Sequence, residues 1–132
     1  MTARDNRPLE AWLGLEREAV WLYSLIGARL PDLRDRAQAS LDSHARVRDQ
    51  LLATVGRTSP PLQPSYDVGP MDSADAARAA AQSVERRIQQ ACAAGIDTVV
   101  AGDRPLPLRG LRRAALAELA WGGAPSGLPG LR

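Results

Sequence analysis

Between Arg57 and Asp72 the chain carries Pro60, Pro61, Pro64, Gly69 and Pro70, a run in which neither helix nor strand can propagate. On each side lie long stretches with apolar residues at three- and four-residue spacing, and each stretch is cut once by a short break. The first break is Leu30-Pro31-Asp32, where the residue before proline is driven out of helical geometry while proline suits a new first turn. The second is Gly102-Asp103-Arg104-Pro105-Leu106-Pro107. This punctuation predicts two helical hairpins joined by one long link. At about 16 residues and roughly 3 Å per residue, the link can travel the full length of a 25-residue helix, about 37 Å.

The spacing predicts helix 1 from Pro8 to about Arg29, capped by Asp5 or Asn6, with Leu9, Trp12, Leu13, Ala19, Val20, Tyr23, Ile26 and Leu30 on its buried stripe. Helix 2 is expected from Pro31 to Val55 with Leu33, Ala37, Leu41, Leu51, Leu52 and Val55 inward and Gly56 as the stop. Helix 3 opens at Asp72 or Ser73 and runs to about Ala101 with Ala77, Ala81, Val84, Ile88, Cys92, Ile96 and Val99 inward. Helix 4 is expected from Leu108 to Trp121, carrying Leu111, Ala115, Leu116 and Leu119, and ended by Gly122-Gly123. Short, long and short connections give an all-α, ferritin-like four-helix bundle with a long crossover between helices 2 and 3. The expected organisation is an N-terminal tail (1–7), the bundle (8–123) and an extended C-terminal tail (124–132) in which Leu128 and Leu131 are available to dock on the helices.

A chain of 132 residues, 45% of them hydrophobic, is enough for one core that needs no metal or disulfide to fold. The single Cys92 excludes an intrachain disulfide and fits a reducing, cytoplasmic setting. No apolar run of about 18 residues is present, so no membrane partner is expected. All 17 basic residues are Arg, but 15 carboxylates hold the net charge to +2, which argues against a general polyanion binder.

The buried stripes carry polar residues. Residues equidistant from a hairpin turn lie level, which puts Glu16 of helix 1 opposite His44 of helix 2. Arg48, one turn beyond His44, is expected on the same face, and Glu85 interrupts the stripe of helix 3. Buried carboxylates are costly unless paired, so Glu16, His44, Arg48 and Glu85 form the expected buried polar cluster. Tyr23, one turn from Val20, is within reach of the cluster, although the favoured reading is a core tyrosine with its hydroxyl at the edge; Asp42, Asp49 and Asp75 lie off the stripes.

A di-metal bundle site needs a Glu from each of two helices and a Glu-x-x-His from each of the other two. Helix 2 offers Leu41-Asp42-Ser43-His44, and helix 4 offers Glu118-Leu119-Ala120-Trp121, so a carboxylate is missing from one motif and an imidazole from the other. A reduced iron or manganese site at Glu16, His44 and Glu85 is the alternative, opposed by the charge of Arg48.

The stretch Leu15-Glu16-Arg17-Glu18-Ala19-Val20-Trp21-Leu22-Tyr23, with Gly27-Ala28-Arg29-Leu30, His44-Ala45-Arg46-Val47-Arg48-Asp49 and the ending from Trp121-Gly122-Gly123 to Leu128-Pro129-Gly130-Leu131, resembles an actinobacterial ferritin-like domain family of unknown function. The resemblance spans nearly the whole chain. It implies a ferritin-like bundle with Glu, His, Arg and Glu at positions 16, 44, 48 and 85, and it implies no activity.

Three roles follow. The favoured one is a metal-free, non-enzymatic bundle that binds a protein partner or forms a homodimer. The second is the reduced metal site. The third is nucleic-acid binding through Arg86, Arg87, Arg109, Arg112 and Arg113, if helices 3 and 4 bring them together. No nucleophile with its base, phosphate loop or dinucleotide fingerprint is present, so no catalytic residue is assigned.

Overall fold

Proline and glycine set the element boundaries seen in a computed structural model of the chain, which describes residues 6–56, 59–99 and 101–131. Helix α1 spans Arg7–Arg29, α2 Arg34–Val55, α3 Ala74–Thr98 and α4 Pro105–Ala120, with 3-10 turns at Pro31–Leu33 and Ala101–Asp103 and no strand among the described residues. Pro8 stands in the first turn of α1, where a missing N–H costs nothing, and Asn6 occupies its cap position; Asp5 lies outside the described residues. The side chain of Ser73 caps α3 by accepting from the Ala76 amide at 3.1 Å. The expected end of helix 3 near Ala101 is shortened to Thr98.

Helix α4 begins three residues before the expected Leu108. Pro105 and Pro107 both fall in its first turn, where backbone donors have no intrahelical partner, so proline starts this helix instead of delaying it.

The helices form two antiparallel hairpins, α1 with α2 and α3 with α4, joined where α1 packs on α3. Tyr23 near the end of α1 reaches Glu85, and Gly95 near the end of α3 faces Pro8, so α1 also runs against α3. It follows that α2 and α3 run parallel, and the segment between them must return the chain along the bundle. That segment lies against α1: Arg17 donates to the Pro60 carbonyl at 2.7 Å, Tyr66 packs beside Trp21 with ring centroids 6.4 Å apart, and Met71 is buried.

The core draws on Leu9, Trp12, Leu13, Leu22, Tyr23 and Ile26 of α1, Ala37, Val47 and Leu51 of α2, and Ala77, Ala81, Val84 and Ile88 of α3. Helix α4 departs from the expected stripe. It buries Pro107, Gly110, Ala114 and Glu118, half-buries Leu111, and leaves Leu108, Leu116 and Leu119 exposed. Closeness is the reason: a Cβ on Gly110 would sit 2.3 Å from Cζ2 of Trp12 and 2.9 Å from Sγ of Cys92, so only a small-residue face can approach this far. The tail follows the same logic. Leu128 and Leu131, expected to dock, are exposed, and it is Gly130 that lies against α3, where a Cβ would come within 2.6 Å of the Gln89 carbonyl oxygen.

Gly110→Ala should therefore lower the unfolding free energy by about 1–3 kcal/mol through overpacking, despite the roughly 1 kcal/mol that Ala gains in helix propensity. Gly14→Ala, whose added methyl meets nothing within 4 Å, should raise it by about 0.5–1 kcal/mol. Urea unfolding of the two variants checks the opposite signs.

Candidate functional site

Three helices bring one ionisable side chain each to a common centre: Glu16 from α1, His44 from α2 and Glu85 from α3. All three are buried, Glu85 completely. The imidazole stands between the carboxyl groups. Its Nδ1 meets Oε2 of Glu16, and its Nε2 lies 2.5 Å from Oε1 of Glu85. Two further donors complete the set. The Trp12 indole N–H donates to Oε1 of Glu16 at 2.9 Å, and the Tyr23 hydroxyl donates to Oε1 of Glu85 at 2.8 Å. The Oε2 atom of Glu85 is buried with no hydrogen-bond partner.

Burial alone would push the His44 pKa down. The hydrogen bonds and charges of Glu16 and Glu85 outweigh it and push the pKa up to about 10, so the ring is an imidazolium at neutral pH and donates from both nitrogens. Burial, then the charge of Glu85 and its hydrogen bond, raise the Tyr23 hydroxyl well above its ordinary range and keep it a donor.

Aromatic stacking holds this arrangement. The Tyr23 ring lies between His44, with centroids 5.4 Å apart, and Trp121, at 5.5 Å. The Arg36 guanidinium covers the outer side of Trp121 at 4.9 Å, and the Trp121 N–H donates to Ser40 at 3.2 Å. One column therefore runs from a surface guanidinium through two rings to a buried imidazolium, with a cation at each end of the π system.

A second polar centre adjoins it. Glu118 of α4 is buried and accepts from Nε and Nη2 of Arg86 at 3.1 and 3.0 Å. The Gln89 amide donates to Glu118 at 3.2 Å and to the backbone carbonyl of Glu85 at 3.3 Å, linking the two centres. Cys92 is buried, and desolvation raises its thiol pKa and disfavours the thiolate.

Glu16, His44 and Glu85 are thus brought together, and Arg48 is not with them. Its side chain is about one-third exposed and its Nε donates to Asp49 at 3.0 Å. The expectation of a guanidinium in the cluster fails for a geometric reason. Val47, three residues after His44, is the one that turns inward, and Arg48 falls on the shoulder of α2, lining a surface cleft with Arg17, Trp21 and Tyr66. Trp12 and Tyr23 supply the donors instead. Trp12 stands four residues before Glu16, and Gln89 four after Glu85; that i, i+4 spacing on a buried stripe was the available signal for both pairs. The five arginines considered for nucleic acid also divide: Arg86 is paired with Glu118 and Arg87 with Glu18, while Arg109, Arg112 and Arg113 remain on the exposed side of α4.

As placed, the carboxyl and imidazole groups are engaged with one another. Each ring nitrogen faces a different carboxyl group, so one ion cannot take a nitrogen and both carboxylates without reorienting the ring. No cluster of three or more His, Cys, Asp or Glu arranged to hold a metal occurs among the described residues.

Fold and site together define an all-helical four-helix protein with a buried carboxyl, imidazole and phenol cluster. The chain belongs to the family described as Domain of unknown function (DUF4439), whose model matches residues 8–132. It is similar to the crystal structure of a conserved hypothetical protein, rv2844, from Mycobacterium tuberculosis, with 23% identity, a TM-score of 0.79, and 93% of this chain and 94% of that chain covered. No curated protein matches. Among the described residues no helix is long and apolar enough to cross a membrane.

Because folding raises the His44 pKa, its contribution to stability is full below about pH 6.5 and is lost as the pH rises toward 10. The chain has no lysine, so no lysine titration overlaps this window. Urea unfolding between pH 6.5 and 8 should show stability falling by up to about 1.4 kcal/mol per pH unit, and His44→Gln should abolish that slope; at higher pH the buried Cys92 thiol, whose pKa folding also raises, adds a slope of the same sign. At pH 7, His44→Leu should cost about 3–5 kcal/mol by leaving two carboxyl groups buried without their cation. The triple change of Glu16, His44 and Glu85 to Leu removes the buried charges together and should cost less than His44→Leu alone, the remaining loss coming from the orphaned Trp12 and Tyr23 donors.

Proposed function

We propose that the protein is a metal-free, non-enzymatic bundle of ferritin-like architecture whose interior cluster sets helix register and whose surface engages a protein partner. The observation that carries this reading is the commitment of both His44 nitrogens to carboxyl groups on two other helices. With Trp12 and Tyr23 donating to the same two carboxyl groups, Oε2 of Glu85 is the one oxygen of that pair without a partner, and neither imidazole nitrogen is free to take a proton from a substrate. The parallel α2 and α3, joined by a long crossover, support the ferritin-like part of the reading. The single buried Cys92 supports a reducing, cytoplasmic setting.

One observation favours a second reading. The unpartnered Oε2 of Glu85 is what a degenerate iron or manganese site built on Glu16, His44 and Glu85 would use. Elemental analysis of protein purified without added metal separates the two. The metal-free reading predicts far less than one ion per chain and a melting curve unchanged by chelators. Stoichiometric iron or manganese that disappears in Glu85→Ala would replace it with the second. Nucleic-acid binding is the weakest role, because Arg86 and Arg87 are held by carboxylates.

A further inference from the structure

Helix α4 exposes the residues that most helices bury. Leu108 is 49% exposed, Leu116 61% and Leu119 41%, and with the half-buried Leu111 and Ala115 they form a stripe at helical spacing on the outer side. Scattered exposed leucines need no explanation, but an ordered stripe of them marks a contact surface. Arg104, Arg109, Arg112 and Arg113 are exposed on or beside the same face, and the one acid of α4, Glu118, points inward.

The surface is furrowed. A depression of about 380 Å³ is bounded by Arg104, Pro105, Leu108, Arg109 and Arg112, and one of about 290 Å³ by Leu108, Leu111, Arg112, Ala115, Leu116 and Pro129 of the tail. They share Arg112 and Leu108, so they continue into one another along α4.

We propose that this face docks an acidic amphipathic helix of a partner protein, seating its apolar side chains in the furrow and its carboxylates on the four arginines. The inference names the partner chemistry of the interaction role above and rests on that role, not on the metal content of the interior. Charge decides among occupants. A second copy placed face to face would set four guanidiniums against the same four. A bilayer surface would leave the depressions unfilled, and a nucleic acid would find no aromatic ring on this face to stack on and would bury the leucines against a polar backbone.

The test uses the full chain and a fluorescent model peptide of about 18 residues with Leu and Ala on one helical face and Glu on the other, read by anisotropy. Saturable binding is expected. It should weaken about tenfold or more between 50 mM and 500 mM salt, and by a similar factor in Arg109→Glu/Arg112→Glu and in Leu116→Asp, two variants confined to exposed positions. Circular dichroism melts of these variants should match the parent, which keeps loss of binding separate from loss of fold. Absence of binding, or equal binding of the same peptide with Lys in place of Glu, overturns the proposal. So does association with vesicles of 70% phosphatidylcholine and 30% phosphatidylserine in place of the peptide, or a dimer mass that Leu116→Asp halves. None of these results bears on whether the interior binds metal, so the two proposals fail separately.

Discussion

One imidazole on α2 is held between carboxyl groups from α1 and α3, and the middle of the bundle is organised to make that tolerable. Two carboxyl groups so close together in the interior repel each other and lose their hydration, so the fold needs a cation between them and donors around them. His44 provides the cation, and Trp12 and Tyr23 provide the donors. Because the three partners sit on three helices, the cluster rewards only the register in which Glu16, His44 and Glu85 lie level. On the function proposed above, this is how the interior sets helix register.

The rest of the packing follows from the same centre. Tyr23 must hold its hydroxyl on Glu85, so its ring is clamped between His44 and Trp121, and Trp121 is in turn covered by Arg36. At the other end Trp12 must reach Glu16, and its ring edge lies against the backbone of α4 at Gly110. That close approach fixes which face of α4 is inward. Small residues and Glu118 take it, and the leucines are left outside among arginines. The interior polar cluster and the exposed apolar stripe are thus two consequences of one set of contacts.

Helix number, the hairpin breaks and the crossover segment could be read from the sequence because proline, glycine and apolar spacing act locally. The level of Glu16 with His44 could be read from distance to the turn at Pro31. Three features could not. Arg48 required the rotation of α2 to within a few tens of degrees, and sequence spacing does not separate it from Val47 at that precision. The inward face of α4 depended on a close approach at Gly110, where small size outweighed the hydrophobicity of Leu108, Leu116 and Leu119. The tail contact was assigned to leucines because they are apolar, whereas the backbone of α3 admits only Gly130 there. In each case the deciding quantity was a distance between elements, which composition and periodicity do not encode.

His44 is the chain's one histidine, so its ring gives a single set of imidazole resonances in a nitrogen-15 spectrum. The account predicts two protonated ring nitrogens at pH 7, both N–H protons slow to exchange, and no titration until the pH approaches 10. A ring that titrates near 6.5, or that carries a proton on one nitrogen only at neutral pH, would contradict it.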